Sequence, residues 1–230
     1  MNIRAFIATL TAVFGLTALP PLNAALKFDT GVKPVPDGSG GLVDSRILTG
    51  LPSDPITHLR VELDVAGPDG FLGDLFVTLQ RGSGYAVLLN RVGREPSAPD
   101  GYGDQGLKVT FELAGPDIHT YRQTLGGPPP SGFLTGTWEA DGRAVDPSNS
   151  VTSSPRSALL SSFLGLDPNG EWILFLADVN PGGQVFLRGW GLDFAPIPEP
   201  AGVGVALGAV LAGLVGARRW LGHRRRKTRC

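Results

Sequence analysis

The sequence predicts an all-β fold, an antiparallel sandwich, and three observations carry that expectation. Apolar residues recur at every second position through several short stretches, the pattern of strands with one buried and one wet face. Glycine and proline, 33 and 20 of 230 residues, fall between those stretches as turn punctuation rather than as low-complexity tracts. No stretch of the middle carries the 3.6-residue period of an amphipathic helix.

In chain order, Leu59-Arg60-Val61-Glu62-Leu63-Asp64-Val65 alternates apolar and charged residues, which predicts a half-buried strand. Leu75, Val77 and Leu79 repeat the pattern with Thr78 on the other face. Leu107, Val109, Phe111 and Leu113 do so again, with Lys108, Thr110 and Glu112 turned to solvent. The segment from Gly115 to Pro155, which holds Pro128-Pro129-Pro130, reads as a long excursion with a short strand at Thr137-Trp138. Ser157 to Phe163 is read as a single helical turn. Trp172 to Ala177 is continuously apolar, as a central strand covered on both faces would be. Val185 to Phe194 closes the series with Trp190, Leu192 and Phe194 on one face. Pro68-Asp69-Gly70, Gly82-Ser83-Gly84, Pro99-Asp100-Gly101, Asp167-Pro168-Asn169-Gly170 and Asn180-Pro181-Gly182-Gly183 supply the turns.

The two ends differ from this middle. Residues 1–24 have the three parts of a secretory signal peptide: Arg4, an apolar run from Ala5 to Leu19, and small residues at Asn23-Ala24-Ala25. Residues 25–35 read as a linker and 36–195 as the sandwich. At the other end Pro196-Ile197-Pro198-Glu199-Pro200 precedes a charge-free run, Ala201 to Ala217, long enough for a membrane helix. The basic cluster of residues 218–230 follows and would stay in the cytoplasm.

That order resembles the PEP-CTERM sorting signal of bacteria that carry an exosortase. The resemblance makes Pro198, Glu199 and Pro200 the recognition tripeptide, 201–217 the transmembrane helix and 218–230 the basic end. It implies an exosortase-like enzyme as processing partner. It also implies an inner-membrane intermediate, and delivery to the cell surface, the extracellular matrix or the medium. An ordinary single-span anchor is the other reading.

All 21 acidic residues but only 12 of the 20 basic ones lie between residues 25 and 200, a net charge of −9 there. Nucleic acid is thereby excluded as partner, because phosphate binding needs a basic face. Cys230 is the single cysteine, so the exported domain is left with its packing, its ion pairs or bound ions in place of disulfides.

A second resemblance lies in the middle. Gly73-Asp74-Leu75, Leu88-Leu89, Phe163, Gly165, Pro168, Gly170, Trp172, Leu174, Asp178, Gly183, Leu187, Trp190, Leu192 and Phe194 follow an order similar to that of the P domain (P/Homo B). This jelly-roll module, galactose-binding-like in architecture, stands beside the catalytic domain of subtilisin-like proprotein convertases. The resemblance implies a jelly-roll sandwich and an interaction role. The segment from Asp117 to Ser157 departs from the convertase pattern.

Catalytic chemistry is weakly represented. A serine-protease triad needs a histidine base between a serine and an aspartate, and the chain has three histidines. His223 lies in the tail, His58 beside a strand, and His119 reads as a surface loop residue, as Arg143 and Arg156 read as loop charges. The expectation is no enzyme. Hard cations suit the acidic loops better. Asp74 and Asp178 match acidic positions of the P domain, some members of which hold structural calcium, and are read as sharing one site. Asp100 and Asp104 form a second acidic loop; Asx-turns are the alternative use for all four. Trp138, in the irregular excursion, is the tryptophan read as a ligand contact.

The sequence therefore points to a non-catalytic exported surface or matrix protein with a P-domain-like interaction module, whose partners would be exported proteins or extracellular polysaccharide. An accessory module of a separate subtilisin-like protease and a carbohydrate-binding protein are the alternatives.

Overall fold

A computed structural model describes residues 25–194. The expected signal peptide at residues 1–24, the tripeptide Pro198, Glu199 and Pro200, the apolar run 201–217 and the basic end lie outside the described residues. Within them, alternation produces nine strands: β1 (Leu26–Pro34), β2 (Leu42–Leu48), β3 (Arg60–Ala66), β4 (Leu75–Arg81), β5 (Gly84–Asn90), β6 (Gly106–Asp117), β7 (Phe133–Glu139), β8 (Gly170–Asp178) and β9 (Phe186–Asp193). They form two sheets, ordered β1-β9-β3-β6-β7 and β2-β8-β4-β5. The fold is the all-β sandwich that the alternation predicts. No helix of the described residues is long and apolar enough to cross a membrane.

The central strands present apolar residues to the space between the sheets. Val61, Leu63 and Val65 of β3 meet Val77 and Leu79 of β4 and Trp172, Leu174 and Leu176 of β8 in one buried cluster. The Trp172 ring lies 5.1 Å from Phe163 and 5.6 Å from Phe194, and its Nε1–H donates to the Pro168 carbonyl at 2.9 Å. A buried indole with its N–H satisfied adds apolar area without an orphaned donor.

Four local expectations need correction. Residues 26–34 are not linker: they pair with β9, Leu26 opposite Leu192 and Phe28 opposite Trp190. The strand was hidden because its alternation is broken by a bulge between Asp29 and Lys33 around Gly31, which holds φ at +60°. β8 is central in its sheet, yet Ile173 and Phe175 on its outer face are only half-buried. Its continuous apolar run therefore does not mean cover on both sides. The excursion is more regular than its composition: β7 spans seven residues around Thr137-Trp138. It also pairs parallel to β6, the exception to an otherwise antiparallel arrangement. Parallel neighbours need a crossover, provided by residues 118–132 with the short helix α1 (Tyr121–Leu125). The expected helical turn is a 3-10 turn at Leu160–Phe163.

Candidate functional site

The Asp74 and Asp178 side chains meet at one end of the sandwich because β4 and β8 are paired with Leu75 opposite Asp178. The Val179 amide donates to the Asp74 carbonyl at 2.9 Å, closing the corner. Gly73 is required there: a Cβ on it would stand 2.2 Å from the Asp100 carbonyl. The glycine of Gly73-Asp74-Leu75 thus lets the 100–102 loop close over the end of the sheet.

The resulting crevice is acidic. Asp74 Oδ1 accepts a hydrogen bond from Asn180 Nδ2 at 2.9 Å and lies 3.6 Å from the Arg91 guanidinium. Asp178 is 2% exposed, and its buried Oδ1 has no hydrogen-bond partner. Burial, then the neighbouring Asp74 charge, pushes the Asp178 carboxyl up to about 7. Asp74 is raised in the same way, first by burial, against the opposing effect of Asn180 and Arg91. Asp37 and Asp100 add negative potential; the Asp37 carboxylate also accepts from Gly182 N.

Arg91 is the cation that sequence reading missed. It holds φ at +49°, a left-handed conformation that is strained for a residue with a Cβ. That turn aims its guanidinium inward, where Nε donates to Gly73 O and the terminal nitrogen to Pro99 O, both at 3.0 Å. A non-glycine residue with positive φ leaves no local mark in the sequence.

The second acidic loop divides. Asp100 belongs with Asp74, but Asp104 is buried elsewhere, accepting from the Tyr121 hydroxyl and from Arg122 Nε at 2.8 Å. Its charge is spent on that pair. Trp138 also needs correction: it is 4% exposed, its Nε1–H donates to Thr135 O at 3.0 Å, and its ring faces Tyr121 edge-on at 6.2 Å. A platform for sugar stacking needs an exposed face, and Trp138 keeps none. Outward alternation on the five-stranded sheet instead makes a shallow groove of about 620 Å³. Two ion pairs line it, Lys27–Glu62 at 3.1 Å and Lys108–Asp64 at 3.6 Å.

His119 and Arg143 are buried rather than at the surface, and Arg156 is half-buried and paired. His119 is 0% and Arg143 2% exposed. Asp117, at the end of β6, accepts from His119 N at 2.9 Å. Arg143 donates to Asp117 Oδ2 at 2.7 Å, to Asp141 Oδ1 at 3.1 Å, and to the carbonyls of Val151 and Thr152 at 3.0 and 2.8 Å. Arg156 pairs with Glu139 at 3.0 Å and donates to Ala140 O and Asp141 O. His119 Nδ1 lies 2.8 Å from Asp141 Oδ2, the contact that orients a catalytic imidazole in hydrolases. Here Nε2 is buried without a hydrogen-bond partner, and Asp141 is shared with Arg143. The pair ties the crossover to the 140–158 loop.

Among the described residues no group of three or more His, Cys, Asp or Glu is placed to hold a metal ion. Two carboxylates with an orphaned oxygen, an adjacent side-chain amide and nearby carbonyls are the donor types of a hard-cation site.

No family model and no curated protein matches the chain. Among solved structures it is similar to one of an Aeromonas sobria serine protease in complex with a chaperone. The identity is 13% and the TM-score 0.40, over 75% of this chain and 27% of that one. A structure of the Aeromonas sobria serine protease gives 13% identity and a TM-score of 0.38, over 76% and 27%. The chain thus spans about a quarter of the length of those it resembles. A likeness this loose decides nothing about function.

Two outcomes follow from the buried network. Arg143→Met strands two carboxylates in the interior and lowers unfolding free energy by about 3–5 kcal/mol, read from the urea midpoint at neutral pH. An unchanged midpoint would mean that the network is ornamental. The second outcome concerns pH. Burial opposes ionisation of Asp117, but hydrogen bonds from Arg143 and His119 N outweigh it and hold the carboxyl below its ordinary value. A pKa lower folded than unfolded gives stability above the unfolded value, about 4, which is lost as pH falls through the folded value. Asp117→Asn is therefore less stable than wild type at neutral pH, and the gap narrows on acidification below about pH 4. A gap independent of pH would contradict this.

Proposed function

We propose that the protein is a non-catalytic surface or matrix protein. Its sandwich is an interaction module exported by the signal at residues 1–24 and sorted by an exosortase-like enzyme that reads Pro198-Glu199-Pro200. The ordered tail motif supports the sorting. The use of His119 and Asp141 supports the non-catalytic reading: a histidine base must reach a reacting atom, and this imidazole is enclosed and shares its carboxylate with a structural arginine.

Calcium belongs to the same reading. A domain without cysteine in residues 25–194 gains from an ion that cross-links neighbouring strand ends. Asp74 and Asp178 would hold it, with the orphaned Asp178 Oδ1 as the observation that carries the assignment. The ion would neutralise the carboxylate pair; Asn180 and Arg91 position Asp74, and Asp37 and Asp100 raise the local negative potential.

The sorting reading is tested by the intact mass of the protein recovered from its native envelope. Loss of the residues after about Pro200 is expected from the tail pattern, and a full-length C-terminus would overturn it. Calcium is tested by melting: millimolar calcium raises the Tm of the wild type and leaves Asp178→Asn unmoved. In calcium-free buffer at alkaline pH, Asp178→Asn melts above the wild type, because the like-charge pair is gone. A wild-type Tm indifferent to calcium would end the assignment.

A further inference from the structure

We propose that β2 is a self-association strand, through which two copies of the chain pair antiparallel about a two-fold axis at Ser45. The observation is an edge that, among the described residues, is unpaired and lightly defended. Edge strands expose unpaired N–H and C=O groups, and folded proteins blunt them with bulges, lysines, prolines or covering loops. The other edge of the same sheet, β5, is covered: Val87 N donates to Ala158 O, and the Asp141 and Gly142 amides donate to Leu88 O and Val87 O. Across the sandwich, β1 carries a bulge, Lys27, Lys33 and Pro34. β2 has none of these; its one defence is the inward-pointing pair Asp44 and Arg46, which is held within the chain. It pairs with β8 in unbroken register from Leu42–Leu176 to Leu48–Gly170. Among the described residues, its backbone makes no bond on the other side.

The side chains of that edge are unusual too. Val43 is 59% and Ile47 73% exposed on the outer face, Val43 opposite the half-buried Phe175 and Ile47 opposite Glu171 of β8. No charge stands on that face of the strand. Exposed β-branched residues at a lightly defended edge mark a surface that is covered by something.

The order Leu42-Val43-Asp44-Ser45-Arg46-Ile47-Leu48 selects a second copy as the occupant. A two-fold axis at Ser45 sets Val43 opposite Ile47 of the other copy, Asp44 opposite Arg46, and Leu42 opposite Leu48. Apolar residues meet apolar ones and no like charges face each other, which is what an isologous contact requires, while Asp44 stays paired within its own chain. The pleat permits axes only at residue positions, because an intermediate register would set inward side chains against outward ones. Moving the axis one residue either way puts Asp44 on Asp44 or Arg46 on Arg46, and like charges directly opposite are destabilising. The strand is held ready for this pairing. Asp44 accepts from Trp190 Nε1 at 3.0 Å and binds Lys33 and Arg46, while the Arg46 guanidinium lies 5.6 Å from the Phe28 ring. The paired sheets become one continuous eight-stranded sheet.

The test uses the full chain carrying Cys230→Ala and Ser45→Cys, oxidised with copper phenanthroline in isolated envelopes and run on a non-reducing gel. A two-fold axis at Ser45 brings the new thiols together, so the band moves to twice the monomer mass. Ser83→Cys, at the exposed tip of the β4–β5 turn, stays monomeric. Adding Ile47→Lys to the Ser45→Cys chain abolishes the dimer. It leaves the urea midpoint in place, since Ile47 makes no core contact. Equal cross-linking at Ser83 would assign the proximity to another part of the chain. A Ser45→Cys chain that stays monomeric, or cross-links only to a different protein, would overturn the proposal.

Discussion

Arg143 ties the end of β6 to the loop after β7 and to the turn beyond it. Its guanidinium reaches Asp117 at the end of β6, Asp141 in the loop after β7, and the carbonyls of Val151 and Thr152 beyond. Asn90 of β5 completes the tie by donating to the Arg143 and Val145 carbonyls. A planar fork of five donors suits several acceptors at once, and a lysine in its place would satisfy fewer. The crossover that allows β7 to lie parallel to β6, and the loop that covers the β5 edge, both close on this one side chain. With no disulfide available in residues 25–194, a buried charge cluster joins them.

Such a cluster is an asymmetric device. Two carboxylates and a guanidinium taken from water together gain little net stability, whereas losing one partner leaves the others stranded. The neighbouring crevice, joined to this cluster through Asn90 and Arg91, shows the reverse condition. At the Asp74 and Asp178 crevice the acidic groups outnumber the cation, and Arg91 reaches only Asp74, at 3.6 Å and from a strained backbone. One cluster is electrically closed and the other is left open to a proton or a cation. That contrast is why the open cluster is the place to look for a ligand, while the His119–Asp141 pair is not.

The two outer faces of the sandwich divide in the same way. The five-stranded sheet presents paired charges, Lys27 with Glu62 and Lys108 with Asp64, which keep water. The four-stranded sheet presents Val43 and Ile47 on an open edge next to half-buried Phe175 and Ile173. A protein with one polar face and one apolar edge has a preferred direction of association, and the sequence of β2 sets the register of that association.

Period-two alternation is local, so the sequence by itself determined the sandwich, the inner faces of β3, β4, β6 and β9, and the turns between them. It also singled out Asp74 and Asp178 as candidates for one site. It could not show β1, whose alternation is interrupted by a bulge, nor the half-open outer face of β8, since an apolar run reads the same whether or not it is covered. The burial of His119, Arg143, Trp138 and Asp104 was decided only by tertiary structure. Each is held by partners far along the chain: His119 by Asp141, Arg143 by Asp117 and Asn90, Asp104 by Tyr121 and Arg122. A charged residue in a glycine-rich loop carries no local sign of whether its counter-charge is water or another loop. That choice belongs to the packing of the whole chain.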